Sequence, residues 1–468
     1  MVRTRIAPSP TGNDIHIGNL YTALINWAFA KKNKGSFIIR IEDTDRTRLV
    51  EGAEEKILSS FLAYGLDYDE GPGKEGKYAP YRQSERLSIY KKHADELIQK
   101  RAAYYCVCTK ERLDEIRKIQ LTEKKVPRYD KHCLTNQVEV QKQIKKGTPY
   151  VIRLKVPEHK KIVAEDLLRG AIEFSSNDLD DQVLLKSDGY PTYHLAVVVD
   201  DTLMEITHVI RAEEWLSSTP KHILLYEAFG WQKPIFVHLP ILRNPDRSKL
   251  SKRKNPVWAS WYLEQGYLPE AVLNYLSLMG WSHPEGKEIF SLEEFIRVFE
   301  LKDIKTSGPA FDQVKLEWMN GEYIRNMKHE TLNMKLLDFI GPQYPKELVE
   351  KTIPLIQERI KKLSDYLPLT EFFFKRPEKY EIDMSKYKDI LKKVGEKIET
   401  VTEWKSKEIG EAMQSVATEV GMKNSEFFMM LRVAITGKKI SPPLNESMEI
   451  LGKEESVSRV KSATTPES

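Results

Sequence analysis

The sequence has few cysteines, no long apolar run and almost no net charge. Only three of its 468 residues are cysteine, and an odd number argues against a disulfide framework and for a reducing compartment. No apolar run approaches the roughly 20 residues of a membrane-spanning helix, and residues 2–6 read as a strand rather than as part of a signal peptide. We therefore expect a cytoplasmic protein without a membrane partner. The net charge of +4 does not by itself indicate a nucleic-acid binder, so a site for a polyanion must come from local clustering of charge.

The first forty residues have the pattern of a βαβ unit. Residues 2–6 alternate apolar and polar, an amphipathic helix is expected from about 18 to 34, and residues 37–41 form a compact apolar run. Ligands of such units bind at the carboxyl ends of the strands. The loop at residues 8–18 and the acidic cluster at 42–45 both fall at that edge, so the sequence predicts a nucleotide site there.

The rest of the chain divides by character. A strand is expected at 207–211, a helix from Thr219-Pro220 to Gly230 and a strand at 236–242, whereas 194–204 fits either strand or helix. Helices are expected at 268–279, at 292–299 and through most of 326–460. We predict five segments: 1–74 and 189–255 as two halves of one catalytic domain, 75–188 as an insertion, 256–325 as a helical domain and 326–468 as an all-α domain.

A histidine precedes the first predicted helix. Gly12 and Gly18 allow close backbone approach to phosphate groups, and His16 supplies a donor immediately before a helix start. A turn histidine without a ligand is the alternative, although the long loop at residues 7–12 that precedes this turn favours the nucleotide site.

A basic loop follows at residues 249–253. Lys249, Lys252 and Arg253 can stabilise the charge that grows on a leaving pyrophosphate. Most such pentamers are simply solvated basic loops. Together with His16, however, this loop would embrace the triphosphate of a nucleotide, and that is the arrangement needed for adenylyl transfer.

Two further groups of charges lie near the predicted strand ends. Glu42 and its acidic neighbours can bind an ammonium group, or they can form an internal ion-pair network. Arg5 on the first strand can bind a substrate carboxylate through its fork, or it can pair with a structural aspartate.

All three cysteines lie within 28 residues of one another. Cys106, Cys108 and Cys133 have the close spacing of zinc ligands, and Tyr129 and His132 are the candidates for a fourth ligand. Three thiols without a metal are the alternative. The lysine-rich C-terminal half carries aromatic residues that can stack on RNA bases, but most of them are expected in the core.

Five segments together resemble the motifs of bacterial glutamyl-tRNA synthetases, which are class I aminoacyl-tRNA synthetases. They are RIAPSPTG at 5–12 with HIG at 16–18, RIEDTD at 40–45, GYPTYH at 189–194, RAEEW at 211–215 and KLSKR at 249–253. The resemblance implies an α/β fold, with a Rossmann-type parallel-sheet catalytic domain, an inserted α+β domain that binds the acceptor stem and an α-helical half that binds the anticodon.

The resemblance also implies the chemistry. Glutamate is activated by ATP with Mg²⁺, and the glutamyl group passes to the terminal adenosine of tRNA(Glu), while charging of tRNA(Gln) is left open; the enzyme is expected to be a monomer. The implied catalytic residues are His16, Lys249 and Lys252. The implied glutamate-binding residues are Arg5, Ala7, Ser9, Glu42, Tyr193 and Arg211. The implied ATP-binding residues are Thr11, His16, Gly18, Glu214, Trp215, Lys249 and Lys252.

The chain departs from the family pattern at three places. Asn19 replaces a second histidine, Leu250 and Arg253 replace methionine and serine, and Cys133 lacks the histidine that follows it in some relatives. The last departure favours Tyr129 as the fourth zinc ligand. The rival interpretations are a transferase that glutamylates a tRNA base, a glutaminyl enzyme, a small-metabolite adenylyltransferase and an inactive RNA-binding homologue.

Overall fold

The computed structural model describes residues 1–250 and 256–463. The chain forms two compact units, one of Met1–Trp261 with Val272–Asp312 and one of Tyr262–Ala271 with the residues from Gln313 on. The finer division into five segments stays a prediction.

The first unit contains the strands. They are β1 (Arg3–Ile6), β2 (Ser36–Ile39), β3 (Ala103–Cys106), β4 (Val151–Leu154), β5 (Lys161–Asp166), β6 (Gly170–Ser175), β7 (Val183–Leu185), β8 (His208–Ala212) and β9 (Ile235–Leu239).

Parallel pairing places four strand ends at one edge. β1 pairs parallel with β2, and β8 pairs parallel with β9, with Arg211 opposite His238. The Thr207 amide donates to the Arg3 carbonyl at 3.0 Å, so β1 lies beside the start of β8. The carboxyl ends of β1, β2, β8 and β9 therefore meet at one side of the sheet.

Two other pairings involve the segment predicted as an insertion. β3, β4 and β7 form an antiparallel sheet of their own. The β5–β6 hairpin instead joins the edge of β9, where Asp166 lies opposite Phe236. A part of this segment thus extends the sheet that carries the strand ends.

The helices follow the chain in both units. They are α1 (Ile17–Lys32), α2 (Ala53–Ala63), α3 (Leu87–Gln99), α4 (Lys110–Thr122), α5 (His132–Thr135), α6 (Gln137–Lys145), α7 (Tyr193–Leu203), α8 (Thr219–Phe229), α9 (Ala259–Glu264), α10 (Pro269–Ser277), α11 (Leu292–Val298), α12 (Gln313–Arg325), α13 (His329–Ile340), α14 (Lys346–Ile356), α15 (Tyr366–Thr370), α16 (Lys388–Glu399), α17 (Ser406–Glu419), α18 (Asn424–Thr436), α19 (Leu444–Leu451) and α20 (Lys453–Ser462).

The expected βαβ unit is present, with one correction. α1 is not amphipathic, because eleven of its sixteen residues are buried and they lie on all sides of it. A helix buried all round is a core element. It is packed between the sheet and other parts of the first unit, so it holds the His16 turn firmly in place.

Local signals explain the elements that follow. The open interpretation of residues 194–204 resolves to helix α7, of which eight residues from His194 to Asp201 are buried. α8 has a proline in its first turn and ends at Gly230, which has a φ of 76°. That left-handed conformation suits glycine, and it ends the helix as predicted.

The second unit is helical throughout its described residues, as expected. Two apolar cores form it, one around α13 and α14 and one around α16 to α20. Most of its aromatic residues lie in these cores, including Tyr366, Phe372 and Phe373, whereas the Trp318 ring is 39% exposed. Across residues 1–250 and 256–463, no helix has both the length and the apolar character needed to cross a membrane.

Candidate active site

A cavity of about 630 Å³ opens at the carboxyl ends of the parallel strands. β1, α7 and β8 contribute most of its walls. The predicted site residues that line it are Arg5, Ala7, Ser9, Thr11, Glu42, Tyr193, Arg211, Glu214 and Trp215. Nine side chains that the resemblance assigns to glutamate and ATP therefore share one cavity.

The first wall of the cavity is a buried network of ion pairs. Arg5 donates through Nε and Nη2 to the two carboxylate oxygens of Asp201, at 3.1 and 3.3 Å. Arg40, which is fully buried, donates to the same carboxylate at 2.8 Å. The structural pairing that the sequence left open for Arg5 thus exists, and it fixes a guanidinium that still lines the cavity.

Glu42 ends this network at the cavity. Its side chain is 12% exposed and accepts a hydrogen bond from Arg40 Nη2 at 3.2 Å. Burial raises the pKa of Glu42 to about 7, although the charges of Arg40 and Arg5 oppose that rise. An ammonium group beside Glu42 would favour the ionised form.

The second wall is built around Arg211, which is 5% exposed. Its Nη1 donates to the Tyr193 hydroxyl at 3.0 Å and to His222 Nδ1 at 3.3 Å. Its Nε donates to His238 Nε2 at 3.1 Å. Burial raises the pKa of Tyr193, so this hydroxyl keeps its proton.

The remaining nitrogen of Arg211 faces the start of α8. Its Nη2 donates to Thr219 Oγ1 at 2.9 Å and to the Trp215 carbonyl at 3.4 Å. The Trp215 ring lies 4.4 Å from the Tyr193 ring, centre to centre, and 39% of the Trp215 side chain is exposed. A flat group such as an adenine ring can stack on an exposed indole of this kind.

His16 caps α1 beside the cavity rather than lining it. Its Nδ1 accepts from the Gly18 amide at 3.0 Å, so a neutral ring carries its proton on Nε2. A β-carbon at Gly18 would lie 3.1 Å from that Nδ1, which explains the glycine at this position. Asn19, on the next turn of the chain, does line the cavity.

The basic loop attaches to the same region through the residues around it. The Lys249 ammonium pairs with Glu214 of the cavity wall at 2.8 Å. On the other side of the loop, Trp258 forms a β-bridge with His16, and the Val257 carbonyl accepts from the Ile17 amide at 2.7 Å. Lys252, which the resemblance makes catalytic, lies outside the described residues.

Sequence reasoning missed four polar residues that hold these walls: Asp201, Thr219, His222 and His238. Asp201 was detectable, because two adjacent aspartates at 200–201 interrupt an apolar helical run. Burying such acids is costly unless a partner is present, so the pair itself indicated a buried arginine.

The three cysteines form the second predicted site. Their Sγ atoms all lie within 4.8 Å of one another, and Cys108 Sγ is 3.5 Å from Cys133 Sγ. The Tyr129 hydroxyl lies 3.4 Å from Cys106 Sγ and 3.5 Å from Cys108 Sγ. Zinc bonds of 2.0–2.3 Å give tetrahedral edges of about 3.5–3.8 Å. The measured edges fit a zinc ion held by three thiolates and the Tyr129 oxygen.

The surroundings of this cluster favour ionised ligands. The Arg112 Nη1 lies 3.5 Å from Cys108 Sγ, and the Arg153 guanidinium lies 4.0 Å from the centre of the Tyr129 ring. Burial opposes ionisation of Cys106, but hydrogen bonds from Tyr129 and Arg153 outweigh it and lower the pKa of that thiol. His132, the other candidate ligand, is exposed.

Two family models match nearly the whole chain. The tRNA synthetases class I (E and Q) catalytic domain matches residues 1–318, and the anticodon binding domain matches residues 327–464. A strand-end cavity with a capped histidine turn is what this class of catalytic domain contains. The chain belongs to the class I tRNA synthetases (E and Q), with a parallel-sheet catalytic domain followed by a helical anticodon domain.

Individual relatives agree over the full length. The chain is 44% identical to the glutamate–tRNA ligase of Acidothermus cellulolyticus and 47% identical to that of Marinomonas sp., covering 99% of this chain and 95% of each relative. It is also similar to the crystal structure of a glutamate tRNA ligase from Elizabethkingia meningosepticum in complex with its amino acid. That match has a TM-score of 0.88 and 38% identity, and it covers 99% of both chains.

Proposed function

We propose that this chain activates L-glutamate with ATP and transfers the glutamyl group to the terminal adenosine of tRNA(Glu). The observation that carries the proposal is the strand-end cavity, which presents Arg5, Glu42, Tyr193 and Arg211 together. Guanidinium groups suit carboxylates and a carboxylate suits an ammonium, so the cavity offers complementary groups to the charges of glutamate. The relatives named glutamate–tRNA ligase support the same assignment.

The first step joins glutamate to AMP. An oxygen of the α-carboxylate attacks the α-phosphorus of ATP, a new P–O bond forms, and the bond to the β-phosphate oxygen breaks with pyrophosphate leaving. His16 Nε2 is the donor that we assign to the phosphates, because its Nδ1 is engaged by the Gly18 amide. Lys249 and Lys252 stabilise the negative charge on the leaving group. Mg²⁺ arrives with the ATP.

The second step transfers the acyl group. The terminal adenosine hydroxyl attacks the acyl carbon of the adenylate, and AMP leaves. We assign acceptor-stem binding to residues 75–188 and anticodon binding to the helices of the second unit, in line with the anticodon family match. We further propose a monomeric, cytoplasmic enzyme.

Zinc has a structural place in this proposal. Cys106, Cys108, Cys133 and Tyr129 would hold it and so fix the loop after β3 against α5, and no chemical step passes through it. Metal analysis of the purified protein should find about one zinc per chain. Cys133→Ser should lose that metal, whereas His132→Ala should keep it, and zinc-free wild-type protein would contradict the site.

Aminoacylation assays test the whole assignment. Purified tRNA(Glu) and tRNA(Gln) are each offered glutamate and glutamine with ATP and Mg²⁺, and the same tRNAs with periodate-oxidised terminal riboses serve as controls. We expect glutamate to be attached to intact tRNA(Glu) and not to the oxidised form. Attachment to oxidised tRNA would instead indicate modification of a base. Pyrophosphate exchange with and without tRNA shows whether activation needs the tRNA.

Lys252→Ala tests the basic loop. The variant should bind glutamate normally and lose adenylate formation by roughly 100- to 1,000-fold, since one preorganised donor contributes about that much. Lys254→Ala, two residues along the same loop, is the matched control. Near-normal pyrophosphate exchange by Lys252→Ala would refute the role given to this lysine.

A further inference from the structure

The five N–H groups of Arg211 have five hydrogen-bond partners in the described structure. An arginine has five such donors and no acceptor. Two are accepted by imidazole nitrogens of His238 and His222, and the others by the Tyr193 hydroxyl, the Thr219 hydroxyl and the Trp215 carbonyl. The orientation of this guanidinium is therefore fixed by groups other than the substrate.

The donors of Arg211 also fix the tautomers of both histidines. Because Arg211 can only donate, His238 Nε2 must accept, and the His238 proton lies on Nδ1, which is 2.7 Å from Asp166 Oδ2. His222 Nδ1 likewise accepts, so its proton lies on Nε2, which is 3.1 Å from His194 Nδ1. Each histidine is thus held in the one neutral form that can accept from Arg211.

The surroundings keep these histidines neutral. Burial and the charge of Arg211 lower the pKa of His222 well below its ordinary value. Burial also lowers the pKa of His238, although Asp166 opposes that change. A protonated imidazole would have no acceptor to offer, and it would place a second positive charge beside the guanidinium.

The described partners of Arg211 are all uncharged, and this distinguishes Arg211 from the other arginines of the cavity. Arg5 and Arg40 share the carboxylate of Asp201, whereas the positive charge of Arg211 is met only by dipoles. The Tyr193 oxygen accepts from Arg211, so the Tyr193 proton is available to a group in the cavity that this residue lines. A substrate carboxylate would accept that proton and sense the charge behind it.

We propose that His238, oriented by Asp166, and His222, oriented by His194, are positioning residues that hold Arg211 uncompensated and so set the affinity for glutamate. This inference rests on the proposed function and deepens it, because neither histidine touches the cavity. It assigns selectivity for a carboxylate over an amide to buried neutral groups behind the site. Glutamine has the same shape as glutamate but lacks the charge that this wall favours.

Two substitutions at one position separate positioning from packing. His238→Gln keeps an acceptor near the place of Nε2, whereas His238→Leu is apolar and leaves the Arg211 Nε–H without a partner. Glutamate-dependent pyrophosphate exchange, with tRNA present, is measured for each variant over a range of glutamate, glutamine and ATP concentrations. His208→Leu, a histidine three residues before Arg211 on β8, is the matched control.

We expect His238→Leu to raise the KM for glutamate by roughly 10- to 100-fold, the effect of losing one hydrogen bond to a charged group. Its KM for ATP should stay within about twofold of wild type, its preference for glutamate over glutamine should fall, and His238→Gln should recover most of the loss. His208→Leu should behave as wild type. An unchanged glutamate KM, an equal rise for both substrates, or equal damage in both His238 variants would overturn the inference.

A second variant protects the test against misfolding. If thermal unfolding shows that His238→Leu does not fold, Thr219→Val removes one acceptor of Arg211 with little change in shape. It should raise the KM for glutamate by roughly three- to tenfold, and no rise would again overturn the inference. Failure of wild-type protein to exchange pyrophosphate with glutamate would instead contradict the proposed function itself.

Discussion

The two walls of the strand-end cavity hold their arginines in opposite ways. On the β1 side, Arg5 and Arg40 share the buried carboxylate of Asp201, and Arg40 also bonds to Glu42. On the β8 side, Arg211 is held by imidazole, hydroxyl and carbonyl groups. The first wall is built from ion pairs and the second from dipoles.

This difference separates shape from charge. The ion-paired wall can be rigid without adding net positive charge, because each guanidinium already has a carboxylate. The dipolar wall orients its guanidinium equally well and leaves the charge in place. Glutamate carries one more negative than positive charge, so a site that neutralised all of its arginines would lose the attraction that distinguishes glutamate from glutamine.

The largest expected effect comes from breaking the ion-paired wall. Asp201→Asn would leave two buried guanidinium groups without their shared carboxylate, and removing one partner of a buried pair costs about 3–5 kcal/mol. We expect a lower midpoint in urea unfolding followed by fluorescence. The matched variant on the other wall, Thr219→Val, removes a neutral acceptor and should cost only about 1 kcal/mol. Equal midpoints for the two variants would contradict the comparison.

The next effect tests what Arg5 does for the substrate. Arg5→Ala should raise the KM for glutamate by roughly 100-fold, because a charged partner of the substrate is lost, and should leave the KM for ATP nearly unchanged. Arg5→Lys keeps the charge but not the fork that binds Asp201, so it should lie between wild type and alanine. A glutamate KM that Arg5→Ala leaves unchanged would remove Arg5 from the amino-acid site.

The sequence was informative where local rules decide the structure. The βαβ start, the proline and glycine that bound α8 and the helical second unit all follow from patterns within a few residues. Residues 194–204 were undecided, because a run of three valines suits a strand while its burial within the first unit makes it a helix. α1 was read as amphipathic because the sequence does not show how much of the unit surrounds it.

The candidate site was predicted only as far as its motifs reach. The segments that line the cavity carry short, unusual patterns, so Arg5, Glu42, Tyr193 and Arg211 could be named in advance. The residues that hold them are separated widely in sequence: Asp201 bonds to Arg5 across 196 positions, and His238 bonds to Asp166 across 72. A buried aspartate or histidine has no local pattern that announces its partner.

The smallest expected effect concerns Glu42, whose pKa burial raises to about 7. If the ionised carboxylate binds the substrate ammonium, protonation below that pH weakens binding, and the limiting KM for glutamate should rise about tenfold for each pH unit. Above pH 7 the KM should be flat, and free glutamate has no group that titrates between pH 6 and 8, so the change reports the protein. Glu42→Gln should show a high KM without this slope. A wild-type KM that stays constant from pH 6 to 8 would place the ammonium elsewhere, and the ion-paired wall would then serve only to hold the shape of the cavity.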